Sequence, residues 1–308
     1  MRNRHRTLAI TGGTGFVGRH LIDAALAQGH LVRALTRSPR PPREGVQWIY
    51  GSLEKPQALG QLVAGADAVI HVAGTINAPD KAGFALGNVE GTLAMVDATR
   101  AAGIRRFVHV SSLAAREPKL SHYGWSKARS EIIVAASALD WTIIRPPAVF
   151  GPGDREMLEL FRAAKRGIVP LPPGGNLSVI AAQDLVRLLL AVLPDGEDSH
   201  AAIYEPDDGR PGGWTHAEFA QAIGHAVGKR VRPQPVPAWA MRAGAKIDSL
   251  VRGANAKLTE DRVRYFLHDD WVVNPDFRPP AHLWRPQLAT VDGLAIAADS
   301  YREEGLLG

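Results

Sequence analysis

The chain has 308 residues, 45% of them hydrophobic and 22% charged, without low-complexity tracts, which excludes a disordered or fibrous protein and leaves room for a sizeable core. It has no cysteine, so disulfides and thiolate metal sites are excluded, and its eleven scattered histidines offer no metal-ligand spacing, so no metal is expected. The net charge of +5 is spread over dispersed Arg and Lys without a nucleic-acid motif, and no apolar run reaches the ~18 residues of a membrane span or the core of a leader, so a cytoplasmic protein that binds no nucleic acid is expected.

The first elements are a short apolar strand, "TLAIT", a glycine-rich turn, "TGGTGFVG", and a helical run, "GRHLIDAALAQG". Gly12, Gly15 and Gly18 of the turn suit three tasks: a tight bend, close approach of a pyrophosphate, and close helix–sheet packing. A helix N-terminus at that point leaves free N–H groups for phosphate. The next strand, "HLVRALTR", ends at Arg37, nineteen residues past Gly18. An acidic residue there would bind the 2′-hydroxyl of NAD; Arg37, followed by Arg40 and Arg43, suits a 2′-phosphate instead. NADP(H) is therefore favoured over NAD(H), the alternative being loop arginines in water.

Further β-rich runs follow, "VQWIYGS", "ADAVIHVAG", "RRFVHVSS" and "LDWTIIRPP", separated by the helical "LGNVEGTLAMVDATRAAG" and "YGWSKARSEIIVAASAL". Strands alternating with helices predict right-handed crossovers and an α/β fold with a doubly wound parallel sheet. Beyond residue 150 the chain becomes rich in Pro and Gly and the alternation stops. The expected organisation is a dinucleotide-binding domain over 1–150 and a smaller substrate lobe over 151–308, with "AAIYEP" near 201–206 returning as a strand. His71 and His109, inside strands, read as packed core residues, and Asp184 as a helix N-cap. Tyr123 and Lys127 stand four apart on one helix face, a spacing that is by itself common surface decoration.

Taken in order, "TGGTGFVG", "DAVIHVAG", "NVEGT", "FVHVSS", "YGWSK" and "RPPAVFGPGD" resemble the extended branch of the short-chain dehydrogenase/reductase superfamily. That branch includes nucleotide-sugar epimerases and dehydratases, 3β-hydroxysteroid dehydrogenases and flavonoid reductases. The resemblance covers the first 190 residues well and the remainder loosely. It implies a Rossmann sheet and a Tyr123 that acts as general acid/base, its pKa of ~10 brought down by Lys127 and the nicotinamide. It also implies that Lys127 hydrogen-bonds the nicotinamide ribose and that Ser112 orients the substrate oxygen, with Ser111 nearer the cofactor. The remaining cofactor contacts it implies are Gly12, Thr14, Gly15, Phe16, Val17, Arg37, Ser52, Leu53, Ala73, Gly74 and Pro146. Asn88 matches a supporting position of the family and equally suits a cap or turn. Only ten residues separate Ser112 from Tyr123, so the loop over the substrate is shorter than in many members. Dimers through two helices are common in the superfamily, and a homodimer stays open here.

Three activities compete for this small-molecule site: a ketone/secondary-alcohol reductase, a nucleotide-sugar epimerase or dehydratase, and a non-catalytic cofactor-binding subunit like that of respiratory complex I. The complete Ser/Tyr/Lys set argues against the last. Sugar-nucleotide members usually carry an Asn where this chain has Ala148, which cannot hydrogen-bond a diphosphate; Arg155, Arg162 and Lys165 are the substitutes that keep that alternative open. In "PAWAMRAGAKIDSLVRG", Trp239, Ala243, Ile247 and Leu250 share a helical face beside a polar stripe of Arg242, Lys246 and Ser249, and "VRYFLHDDWVV" adds Tyr265, Phe266 and Trp271. The default expectation is that these pack on the core. The alternative is an apolar lid in peripheral contact with an anionic membrane. With Ala148, it favours a hydrophobic oxo or hydroxy substrate such as a 3-oxo lipid.

Overall fold

The computed structural model describes residues 5–194, 196–253, 256 and 258–307. The first half alternates strand and helix except that β2 runs on to β3 without a helix between them: β1 (Thr7–Thr11), α1 (Phe16–Ala27), β2 (Leu31–Thr36), β3 (Val46–Tyr50), α2 (Pro56–Val63) and β4 (Ala68–His71). Next come α3 (Lys81–Phe84), a π-helical stretch Ala85–Glu90, α4 (Gly91–Ala101), β5 (Arg106–Val110), α5 (His122–Ala135) and β6 (Asp140–Ile144). The second half holds β7 (Ala148–Phe150), α6 (Leu158–Lys165), β8 (Ile168–Leu171), β9 (Asn176–Leu177), β10 (Val179–Ala181), α7 (Ala182–Ala191) and β11 (Ala202–Tyr204). It ends with β12 (Trp214–Thr215), α8 (His216–Ala226), β13 (Arg232–Pro235), α9 (Ala238–Arg252), α10 (Glu260–Phe266), β14 (Asp270–Trp271) and α11 (Thr290–Glu303).

Two compact units arise, and neither is one continuous stretch. The first comprises Met1–Arg145, Leu185–Tyr204 and Pro279–Trp284; the second comprises Pro146–Asp184, Glu205–Arg278 and Arg285–Gly308. In the first, seven strands form one sheet in the order β11-β6-β5-β4-β1-β2-β3, each neighbouring pair parallel. Strand order therefore reverses at β1, between β2 and β4. β4 and β5 are buried at every residue, as central strands covered on both faces must be. The strand-like run near 201–206 does return, as β11 on β6. Arg106 ties this late segment down: its buried guanidinium donates to Val192 O at 2.5 Å, Ser199 O at 3.2 Å and Asp140 O at 2.6 Å.

The second unit is built of α6, α8 and α11 around Phe150, Phe161, Phe219, Ile223, Leu294 and Tyr301. Two sequence expectations fail here. Asp184 is the third residue of α7, not its cap, and its carboxylate accepts the Gln287 and Leu288 N–H groups, both at 3.0 Å. The α9 stripe does not pack on the core: Trp239, Ala243, Ile247 and Leu250 are exposed, and α9 buries Ala245 on its opposite side instead. Tyr265 and Trp271 do pack, stacked at 4.5 Å with the Trp271 indole N–H on Tyr265 O at 2.9 Å.

Candidate active site

The parallel sheet brings the C-terminal ends of its strands to one side, where the glycine turn, "HVAG" and "HVSS" stand at the ends of β1, β4 and β5, while "NVEGT" lies in the π-helical stretch and α4 and "YGWSK" in α5. β1 runs into the glycine turn. Gly12 has φ +70°, and a Cβ on it would lie 2.7 Å from Ala73 N, beyond β4. A Cβ on Gly18 would stand 2.0 Å from Gly12 O, so α1 lies tight against the turn. The turn closes through Gly15 N–H on Gly12 O at 2.9 Å, and α1 begins at Phe16 with no side-chain cap and no acid in its first turn. Thr14, Phe16 and Val17 are half-buried around this cradle. Such a bare helix start behind a bend of three glycines and Thr14 fits a pyrophosphate.

Arg37 stands exposed just past β2, as does Arg40, whereas Arg43 pairs with Asp23 at 2.6 Å. Ser52 and Leu53 follow β3, and the Leu53 side chain lies where a Cβ on Gly91 of α4 would meet it at 2.7 Å. Ala73 and Gly74 follow β4; a Cβ on Gly74 would lie 3.0 Å from Asn88 Oδ1 and 3.8 Å from Lys127 Nζ. Pro146 is buried and begins the second unit.

Ser111 and Ser112 follow β5. The turn Leu113–Arg116 then returns the chain to α5, whose N-cap Ser121 accepts the Gly124 N–H at 3.0 Å. Gly124 was not singled out from the sequence. A Cβ there would approach Ala114 O to 2.7 Å and Glu117 O to 3.0 Å, so the absent side chain lets α5 lie on this turn. That contact sets the Tyr123 hydroxyl against Ser112, with which it hydrogen-bonds. Phe84 flanks the Tyr123 ring at 6.1 Å between centroids. Burial raises the phenol above its ordinary value, and the Ser112 hydrogen bond opposes the rise. Only a positive charge nearby would bring it below that value.

Lys127 is buried one turn along and donates to Val110 O at 2.8 Å. Burial lowers its pKa to about 8, against an upward pull from Glu131. Glu131 also went unnoticed in the sequence, though it lies four residues past Lys127 on the same helix face. Its carboxylate accepts the Ser111 hydroxyl at 2.5 Å and two bonds from Arg145, at 2.9 and 2.7 Å. Ser111 thus turns its hydroxyl toward α5.

Asn88 is buried and bridges both backbone groups of Thr75, accepting its N–H at 2.6 Å and donating to its O at 2.9 Å, with a third bond to Ser126 Oγ at 2.8 Å. The two core histidines stack at 5.5 Å and are fully buried. Burial, then the Lys127 charge, depress His71 to about 3 and hold His109 well below its ordinary value, so both are neutral. Thr92 gives its hydroxyl proton to Asn88 O at 2.6 Å, so it accepts from His71 Nε2–H at 3.2 Å. His71 Nδ1 then takes the Thr11 hydroxyl proton at 2.7 Å, and Thr11 accepts the Ala73 N–H at 3.1 Å. One chain of hydrogen bonds runs from the end of β4 to Asn88. Among the described residues no cluster of three or more His, Asp or Glu could hold a metal ion.

A family model described as NAD(P)H-binding matches residues 12–167. The ceramide reductase of Caulobacter vibrioides is 37% identical over 309 residues, covering 97% of this chain and 96% of its own. The 3β-hydroxysteroid dehydrogenase/Δ5→4-isomerase of Mycobacterium tuberculosis is 28% identical over 260 residues, covering 72% of this chain and 69% of its own. Among solved structures, the UDP-glucose 4-epimerase of Thermus thermophilus in complex with NAD superposes with a TM-score of 0.72 at 22% identity, over 96% of this chain and 99% of that one; this shows a shared fold.

Proposed function

Because the chain belongs to the extended short-chain dehydrogenase/reductase superfamily and is an NAD(P)-dependent oxidoreductase, we propose that it interconverts a ketone and a secondary alcohol on an apolar, lipid-like substrate, with Tyr123 as general acid/base. The observation that carries this reading is the Ser112–Tyr123 hydrogen bond, with Lys127 buried one turn along, inside one unit. The cofactor, when bound, supplies or accepts the hydride at nicotinamide C4. Ser112 holds the substrate oxygen by hydrogen bond. Tyr123 gives that oxygen its proton as the carbonyl carbon is reduced and takes it back in the reverse direction. Lys127 stabilises the phenolate and binds the nicotinamide ribose. The cradle from Gly12 to Val17 takes the pyrophosphate, Ser52, Leu53, Ala73 and Gly74 enclose the rest of the cofactor, and Asn88 braces the loop after β4. Ser111 serves the cofactor side indirectly, through Glu131.

The exposed Arg37 favours NADP(H), since a guanidinium at the end of β2 pairs with a 2′-phosphate and gains nothing from a bare ribose. For the substrate, the names of the two sequence relatives, a ceramide reductase and a 3β-hydroxysteroid dehydrogenase, point to apolar alcohol/ketone pairs. A long-chain 3-oxo lipid of the ceramide kind suits this chain. The cations that would replace an Asn for a sugar diphosphate are in part engaged: Arg155 pairs with Glu304 at 2.6 Å and Arg162 with Glu159 at 2.8 Å. The test is NADPH consumption by the purified protein with a detergent-dispersed 3-oxo ceramide and, separately, with UDP-glucose. Oxidation of NADPH with the lipid alone is expected. Conversion of the nucleotide sugar without net cofactor change overturns the proposal.

A further inference from the structure

The α9 helix is amphipathic the wrong way round for a helix packed on a protein. Four of the five most exposed large apolar side chains among the described residues lie on its 15 residues: Leu250 at 86%, Val251 at 77%, Trp239 at 74% and Ile247 at 62%. At about 100° per residue these four and Ala243 fall within an arc of about 120°. Lys246 and Arg242 border one side of that arc and are exposed. The single acid of the helix, Asp248, is turned inward, where it accepts the Leu258 N–H at 2.8 Å and meets Arg252 at 3.3 Å. Arg242 has Glu260 of α10 at 3.8 Å, a long contact between two exposed side chains that leaves the cation available.

We propose that α9 is an interfacial anchor, lying on a bilayer with Trp239, Ile247, Leu250 and Val251 at the headgroup–acyl boundary and Lys246 and Arg242 on anionic headgroups. The surface is one convex helix with an exposed Trp, an apolar stripe and bordering cations, the combination that partitions into the plane of an anionic membrane. A second copy of the chain is a poorer occupant. In an antiparallel pairing of two α9 helices, Lys246, close to the midpoint of the stripe, meets its own symmetry mate, and the cations oppose one another. The inference stands independently of the substrate, because it uses only residues outside the candidate active site.

The experiment is flotation of the full chain with vesicles of phosphatidylcholine containing a quarter phosphatidylglycerol, against pure phosphatidylcholine. The protein is expected to float with the anionic vesicles. Trp239→Ser/Leu250→Ser should bind them at least tenfold more weakly, and Lys246→Glu/Arg242→Glu should lose the preference for anionic lipid. Both double variants change exposed residues and should retain the wild-type melting curve and NADPH affinity, which separates loss of the anchor from loss of the fold. Turnover of a short, water-soluble 3-oxo ester should be the same in wild type and both variants, so failure of the reductase proposal registers separately. Absence of flotation by the wild type, or equal flotation by the variants, overturns the inference. So does a dimer in sedimentation velocity that Trp239→Ser/Leu250→Ser converts to monomer without wild-type vesicle binding.

Discussion

At the scale of single residues, chemistry and fold stability pull on different side chains. Tyr123→Phe keeps the ring against Phe84 and removes only the hydroxyl. It should lower turnover by roughly 10²–10⁴ while leaving NADPH affinity unchanged, as stopped-flow reduction and fluorescence titration would read. Arg37→Glu should weaken NADPH binding about 10- to 100-fold and spare NADH; equal losses for both cofactors would remove Arg37 from the 2′-phosphate. Asp154 is a structural counterpart. It is buried, and burial raises its pKa from 3.8 to about 6 despite N–H bonds from Glu156 at 2.8 Å and Met157 at 3.3 Å. Between those two values the folded state holds more protons than the unfolded state, so stability falls as pH rises through that window. The loss relative to Asp154→Asn should reach on the order of 2–3 kcal/mol by pH 7. Denaturant unfolding of both proteins at pH 4 and pH 7 tests it, a pH-independent difference being the failing result. That Tyr123 and Lys127 lie one turn apart on a helix was legible in the sequence because helix spacing is local, while the roles proposed for them came only with the resemblance to a family. Asp154 was not, since its burial comes from the packing of residues far along the chain.

At the scale of elements, α5 is tied to the residue just past β6 by a largely buried ion pair. The Glu131 and Arg145 side chains are 9% and 16% exposed, so breaking the pair strands a charge out of water. Glu131→Gln should cost about 3 kcal/mol of stability. It also removes the charge that pulls Lys127 upward, so Lys127 should lose its proton at a pH below its present value of about 8. A Lys127-dependent limb in the pH–rate profile should move to lower pH in this variant, whereas a purely structural role would leave it in place. The pair was hard to read from sequence: Glu131 has a visible relation to Lys127, but its neighbour Arg145 lies fourteen residues on, across a helix end and a strand. Elements whose signal is local came through well, namely the glycine turn, the central apolar strands and the returning β11. The α9 stripe did not, because an apolar helical face has the same spacing whether it points into a core or out of it.

On the scale of the whole chain, the units are assembled from separated segments, which changes what a truncation can do. A fragment of residues 1–150 carries every site residue argued above, and its boundary looks natural where the βα alternation ends. It lacks Leu185–Tyr204, however, and so lacks β11 and the carbonyls of Val192 and Ser199 that hold the buried Arg106. A guanidinium left buried without those acceptors costs several kcal/mol. The fragment should therefore lack sharp near-ultraviolet circular dichroism and cooperative melting, and should bind NADPH at least 100-fold more weakly than the full chain. A cooperatively melting fragment with near-native affinity would contradict this.

The late arrival of β11 also sets a timetable for synthesis. β6 is complete at Ile144, while its partner strand begins only at Ala202. At about 5–20 residues per second, roughly 3–12 s pass on the ribosome with the β6 edge unpaired and Arg106 short of the Val192 and Ser199 carbonyls. An open strand edge is a template for the wrong neighbour, including the same strand of an adjacent nascent chain. The nascent protein thus passes through a vulnerable interval whose length is fixed by translation speed between codons 144 and 204. Slowing the ribosome there should lower the soluble yield, and speeding it should raise it.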